Sequence, residues 1–176
     1  RSGHDGLAIG GDRGTVTLVN FASGFAADIL QEIETGSTTA YPAAGDFNGD
    51  GYDDLLVLLD DGTVRFYANT QASPPYGDFT PNFLGQSITK GSSLGVGDVD
   101  QDGLPDVLAS DSEGRIWEFI QQEDESFFLL SKVWGGSGAG FATGLRISAF
   151  DFDGDGDLDL VGGMENGGLI ALRDPS

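Results

Sequence analysis

Cysteine is absent from this 176-residue chain, and histidine and methionine occur once each. No disulfide framework, thiol nucleophile or thiolate metal site is therefore available. The lone histidine, His4, excludes a multi-His metal cage and has no evident partner for acid–base catalysis. Cations are scarce as well: 8 Lys and Arg stand against 29 Asp and Glu, for a formal net charge of −21. Phosphate backbones and anionic membranes need clustered cations, so both are poor partners for this surface. No apolar run approaches the ~20 residues of a membrane-spanning helix. Phosphate-cradling glycine loops and dinucleotide fingerprints are missing. The stretch Gly135-Gly136-Ser137-Gly138-Ala139 falls short of a nucleophile elbow, because Ala139 stands where the last glycine belongs and no strand-to-helix context surrounds it. It reads as a flexible connector. The chain opens Arg1-Ser2 without an initiator methionine, as expected of a processed form or of a piece of a longer chain.

What is present is glycine, acid and repetition. Hydrophobic residues make up 39% of the chain, 12 Phe among them, enough for a real core and too much for wholesale disorder. Glycine occurs 29 times, which points to many tight turns. Three segments match one another: GDFNGDGYDDLLVLLDDGTVRFY at 45–67, GDVDQDGLPDVLASDSEGRIWEF at 97–119, and AFDFDGDGDLDLVGGMENGGLIAL at 149–172. Their first loop acids, Asp46, Asp98 and Asp151, lie 52 and 53 residues apart. A fourth copy, HDGLAIGGDRGTVTLVNF at 4–21, has the turn glycine but no acidic loop. The repeats run approximately 1–38, 39–90, 91–143 and 144–176, with the first and last truncated.

Each unit has one order of elements. A short apolar run leads into the acidic loop, and an aliphatic run such as Leu55 to Leu59 follows. Next come Asx-Gly or Glu-Gly turns: Asp61-Gly62, Glu113-Gly114, Asn166-Gly167. A third run alternates with period two, as in Thr63 to Tyr67 and Arg115 to Phe119, so one of its faces is inside. A weaker fourth run closes the unit at Ala26 to Ile33, Phe79 to Ile88 and Phe127 to Val133. Ala26 to Glu34 is the best helix candidate, although its counterparts in later repeats are strand-like. Four short strands in about fifty residues fit one blade of a β-propeller. A sandwich lacks such a period, and parallel β-helix coils are shorter. The expected fold is all-β: about four blades of four antiparallel strands, in one propeller segment spanning 1–176.

The three loops share the pattern D-x-[DN]-x-D-G-x-x-D. Oxygen side chains fall at positions 1, 3, 5 and 9: Asp46, Asn48, Asp50 and Asp54; Asp98, Asp100, Asp102 and Asp106; Asp151, Asp153, Asp155 and Asp159. Calcium takes six to eight hard oxygen ligands. A loop wound around the ion offers side chains from positions 1, 3 and 5. It adds a backbone carbonyl from position 7, at Tyr52, Leu104 and Asp157, where side-chain identity is free to vary. Asp at position 9 completes the cage. Glycine at position 6 supplies a turn that a Cβ would obstruct. Carboxylates packed this closely repel one another without a cation. An EF-hand would need Glu at position 12, where Val57, Ala109 and Gly162 stand, and its flanks would be helical. Calcium at three sites, without helices, is the expectation.

Repeats reading GDFNGDGYDDLLV and AFDFDGDGDLDLVGG resemble the FG-GAP/VCBS repeats of integrin-α-like and bacterial extracellular β-propellers. The resemblance covers nearly the whole chain. It implies a Ca²⁺ in the loop joining the first and second strands of each blade, held by the positions named above. The first repeat lacks the loop and should bind none. Family propellers often have seven or so blades, so three arrangements stay open: a piece of a longer propeller, a ring completed by another chain, or a small four-bladed ring.

The resemblance implies a non-catalytic, extracellular, cell-surface or periplasmic module used for adhesion, binding or assembly. Its partners would be a protein or glycan ligand, or another chain completing the propeller. The alternative is a propeller segment of a larger extracellular polysaccharide lyase or hydrolase, although no spare carboxylate pair stands out for that chemistry. Trp117 and Tyr67 read as blade core. Trp134, Tyr41 and Tyr76, near strand ends and connectors, are candidates for an exposed sugar-stacking surface, and the tip 72–77 for recognition.

Overall fold

The computed structural model describes residues 6–22, 26–85, 87–88, 91–124, 127–134, 145–156, 158–164 and 167–172. Thirteen strands and no helix occur among these residues. They form four antiparallel sheets in chain order. The first sheet comprises β1 (Gly6–Gly10), β2 (Thr15–Ala22) and β3 (Ala26–Glu34); the second, β4 (Ala40–Gly45), β5 (Asp54–Leu59) and β6 (Val64–Tyr67). The third comprises β7 (Gly91–Gly97), β8 (Asp106–Asp111), β9 (Ile116–Gln121) and β10 (Phe127–Trp134). The fourth holds β11 (Arg146–Phe150), β12 (Asp159–Gly163) and β13 (Leu169–Leu172).

Every sheet is a meander in which sequence neighbours pair. The acidic loops connect β4 to β5, β7 to β8 and β11 to β12, the first-to-second-strand position expected of them. The glycine turns then join β5 to β6, β8 to β9 and β12 to β13. Gly62 shows why glycine is needed there. Its φ is +83°, and an added Cβ would lie 2.3 Å from the Ile88 carbonyl oxygen. That carbonyl is held close because the Ile88 amide donates to the Gly62 oxygen at 2.7 Å. The helix candidate Ala26 to Glu34 is a strand, paired with β2 from Thr15↔Glu34 to Ala22↔Ala26.

Among the described residues, only the third sheet has the four strands expected of each blade. The first sheet starts at what is the second strand elsewhere, and in the fourth no strand follows β13 among the described residues. The second sheet departs for a local reason. The run Phe79 to Ile88 does not extend as a strand; it meets β6 at one bridge, Phe66↔Thr80. Pro81 follows at once and has no amide to donate. Asn82 then takes φ +51°, which turns the chain. The segment still lies beside β6, since the Phe83 amide donates to the Val64 oxygen at 2.8 Å.

The sheets stack face to face in sequence, with β1 against β4, β4 against β7 and β7 against β11. Period two along the central strands divides their side chains between neighbouring seams. Leu55, Val57 and Leu59 of β5 pack toward the first sheet with Val16, Leu18 and Ile33. Leu56 and Leu58 pack toward the third with Val107, Ala109 and Phe119. Leu108 and Ile116 then meet Ile147 and Leu160 of the fourth. Every residue of β5 and β8 is buried, because a sheet lies on each side. The β1 and β4 to β11 contacts make an arc. No described residue of the fourth sheet closes back on the first, so the propeller is open.

Candidate metal loops

The three acidic loops are built from the same two contacts. The carboxylate at position 1 accepts the amide of the glycine at position 6: Gly51 on Asp46 at 2.7 Å, Gly103 on Asp98 at 2.9 Å, Gly156 on Asp151 at 3.2 Å. That glycine has φ of +85°, +92° and +99° in turn, a conformation few other residues adopt. The carboxylate at position 9 accepts the amide of position 2: Phe47 on Asp54 at 3.2 Å, Val99 on Asp106 at 2.7 Å, Phe152 on Asp159 at 3.0 Å. Each loop is thus curled inward from both ends before any ion is considered.

The acids at position 9 are buried, although aspartate is almost never so without partners. Their second oxygen explains two of them. Asp54 Oδ1 accepts the Asn69 amide at 2.8 Å, and Asp106 Oδ1 accepts the Gln121 amide at 2.8 Å. Asn69 and Gln121 occupy equivalent places just past the third strand's core, one repeat apart. Burial dominates the electrostatics: desolvation pushes the Asp106 carboxyl up to about 6, against the pull of the Gln121 and Val99 amides. Asp54 is raised from its ordinary value for the same first cause, with Asp50 and Asp46 adding repulsion.

The structure gathers the predicted ligands to different degrees. Asp98, Asp100 and Asp106 bring carboxylate oxygens within 4.8 Å of one another, and so do Asp151, Asp153 and Asp155. In the 46–54 loop no three acids come together in this way among the described residues. There Asn48 takes the place of an acid, and its side-chain oxygen accepts the Asp50 amide at 2.9 Å. Asp50 and Asp102 each accept the amide of position 7, from Tyr52 at 2.9 Å and Leu104 at 2.8 Å. Asp157 lies outside the described residues, as do His4, Gly135 to Ala139 and Asn166. Position 12 of each loop is a strand residue, as a β-type loop requires.

A hard divalent cation fits this donor set. Every candidate side-chain donor is oxygen. Asp98 Oδ1 is buried and has no hydrogen-bond partner among the described residues. A buried, unpartnered carboxylate oxygen is costly unless something positive meets it.

Sequence reasoning missed the braces around the loops. Gln121 Nε2 donates to the Phe47 oxygen at 2.7 Å, tying the third sheet to the loop of the second. Asn69 Nδ2 and the Tyr76 hydroxyl both donate to the Asp53 oxygen, at 3.1 and 2.8 Å. Their only sequence signal is a polar residue at one offset in two repeats. Two predicted exposed aromatics are instead committed to packing. Tyr76 is half-buried, its phenol pushed up to about 12, chiefly by burial. It anchors the 72–77 tip to the first sheet, since its amide donates to Gln31 Oε1 at 3.1 Å. Tyr41 is half-buried on β4 beneath the Arg146 guanidinium, 5.0 Å from its ring. Tyr67 is buried as expected. Trp117 is half-buried, with its indole N–H on Asp111 at 3.2 Å. The Trp134 side chain lies outside the description.

Comparison with protein families agrees with this geometry. A family model described as an FG-GAP-like repeat matches residues 46–109 and again 98–162, each match spanning two acidic loops and the strands between them. Together the matches span well over half of the chain. No individual curated protein matches it.

Proposed function

The chain belongs to the FG-GAP-like repeat family, and from that premise we propose that it is a non-catalytic, extracellular module whose blades are stabilised by calcium. The observation that carries this reading is the buried Asp98 Oδ1, left without a donor inside a loop of converging oxygens. Residues 98, 100, 102 and 106, with the Leu104 carbonyl, hold one ion; the 46–54 and 151–159 loops hold the other two. The ion neutralises the carboxylates and so fixes the corner between first and second strands. A ligand that binds the folded loop alone stabilises the fold by mass action. Extracellular calcium modules have dissociation constants of about 10⁻⁴–10⁻³ M, near the extracellular calcium level, whereas cytosolic calcium is far below it. At one to ten times the dissociation constant, three sites add about 1–4 kcal/mol.

The stabilised blades present a rigid surface for a protein or glycan, and the cleft of about 420 Å³ between the 46–54 and 98–106 loops is the part of it nearest those two metal loops. Thermal melting followed by circular dichroism tests the calcium reading. Millimolar calcium should raise Tm over EDTA by several degrees, and magnesium should do so less. Identical melting curves in calcium and EDTA overturn it.

A further inference from the structure

Position 3 is asparagine in one metal loop and aspartate in the other two, and Asn48 is followed directly by Gly49. Both residues are exposed. Asparagine is chemically labile, most of all before glycine, whose missing side chain leaves its amide nitrogen open to the neighbouring carboxamide. The chain has two such pairs, Asn48-Gly49 and Asn166-Gly167. The structure separates them. The Gly167 amide donates to the Met164 oxygen at 2.9 Å. The Gly49 amide has no hydrogen-bond partner among the described residues, and no atom lies within 4 Å of a Cβ built on Gly49. The same contrast holds between loops. Gly154, equivalent to Gly49, donates its amide to Asp151 Oδ1 at 2.6 Å, whereas Asp46 Oδ1 accepts the Asp50 amide instead, at 3.0 Å.

We propose that the 46–54 loop modifies itself, Asn48 losing its side-chain amide to attack by the Gly49 nitrogen. The electrophile is already prepared. Asn48 Oδ1 accepts the Asp50 amide at 2.9 Å, so a donor stands where negative charge gathers during the attack. The departing NH2 group is held loosely, 3.5 Å from Asp54 Oδ1. The Gly49 nitrogen gives its proton to water and bonds to Asn48 Cγ. The bond from Cγ to the side-chain nitrogen breaks, ammonia leaves, and a five-membered succinimide remains. Water then opens the ring at one of its two carbonyls. One opening gives aspartate at 48, the other isoaspartate, with the main chain longer by one methylene. One water is consumed and one ammonia released, with no oxidant or reductant. The reactivity is independent of any metal. Its consequence rests on the calcium reading above: aspartate at 48 gives this loop the acid that Asp100 and Asp153 supply in the others, while isoaspartate breaks its register.

The folded chain, kept in EDTA at mildly alkaline pH, reports the reaction by peptide mass spectrometry. Replacement of NH2 by OH raises the mass of the Asn48 peptide, and an isoaspartyl methyltransferase reads the isoaspartate share. Asn48 should convert faster than Asn166 by a factor of about 2–12, the net effect of one hydrogen bond left to open at Gly167. In urea the two pairs should convert alike, since only the fold distinguishes them. Gly49→Ala, with room for its methyl but a crowded nitrogen, should slow conversion at 48 several-fold and leave Asn166 as it was. An Asn48 that stays intact in the folded chain, or converts no faster than Asn166, overturns the proposal. So does conversion at 48 that Gly49→Ala leaves unchanged. Calcium dialysis of the aspartate-48 fraction, separated by its added charge, then tests the consequence: binding at this loop should tighten over the parent. Unchanged binding there, with conversion observed, refutes the calcium reading of the loop and leaves the reaction standing.

Discussion

Raising the pH from 4 to 7 should pull the calcium-loaded and calcium-free proteins apart in stability. Asp106 sets the scale. Burial puts its folded carboxyl at about 6, while its ordinary value is 3.8. Between those values the metal-free folded state holds a proton that the unfolded chain has released. The contribution of Asp106 to the metal-free fold is therefore fully present below pH 3.8 and is lost as pH rises through 6. The gap of about 2 pH units corresponds to roughly 3 kcal/mol. Asp54 is shifted in the same direction and adds to the loss. Calcium reverses the sign: the ion takes the proton's place, favours the ionised carboxylates, and holds the fold better as protons leave. For a chain of this size 1 kcal/mol moves Tm by about 2–4 °C, so Asp106 alone opens a gap of about 6–12 °C across this range. Melting curves in EDTA and in excess calcium, taken at half-unit pH steps, measure it. Parallel curves from pH 4 to 7 would refute the reasoning. Asp106→Asn supplies the control. Without calcium at pH 7 it should cost little, because relief of a buried charge offsets the one backbone amide it leaves unpaired, while in calcium it should lose most of the ion's stabilisation.

Three further outcomes follow from the geometry. Gly62→Ala forces a Cβ onto the Ile88 carbonyl at positive φ and should cost at least about 2 kcal/mol in urea unfolding, whereas Gly49→Ala, with no atom near its added Cβ, should cost only about 1. Gln121→Ala removes the strut to the Phe47 oxygen and should destabilise by about 1–3 kcal/mol with the number of bound ions unchanged. Leu56→Ala, buried between the second and third sheets, should cost about 2–5 kcal/mol, while Leu169→Ala on the open end should fall within about 0.5.

Much of this architecture was legible because the chain states it three times. The loop acids, the glycine turns and the period-two runs recur in one register, and strand order follows from them. The Ala26 to Glu34 segment shows the limit of local pattern: its spacing suits a helix, and pairing with β2 decides otherwise. The missing fourth strand of the second sheet turns on Pro81 and Asn82, two residues that override an otherwise strand-like, Phe-rich run. Within the loops, residue types marked the candidate ligands but not the double duty of position 9, where Asp54 and Asp106 each clamp two backbone amides. That duty depends on contacts across fifteen residues and on burial. Tyr76 was misjudged for a related reason: its position in a polar connector hides a hydroxyl that reaches Asp53. The incomplete first and last repeats were legible too, but the exposure of Leu7 and Ile9 was not, since they read like any core pair.

Equilibrium dialysis of the EDTA-stripped chain against calcium tests the central claim most directly. Three ions should bind per chain, two remaining after Asp98→Ala/Asp100→Ala, with dissociation constants near millimolar. Failure of the chain to take up calcium, or uptake undiminished by that double substitution, would contradict the account.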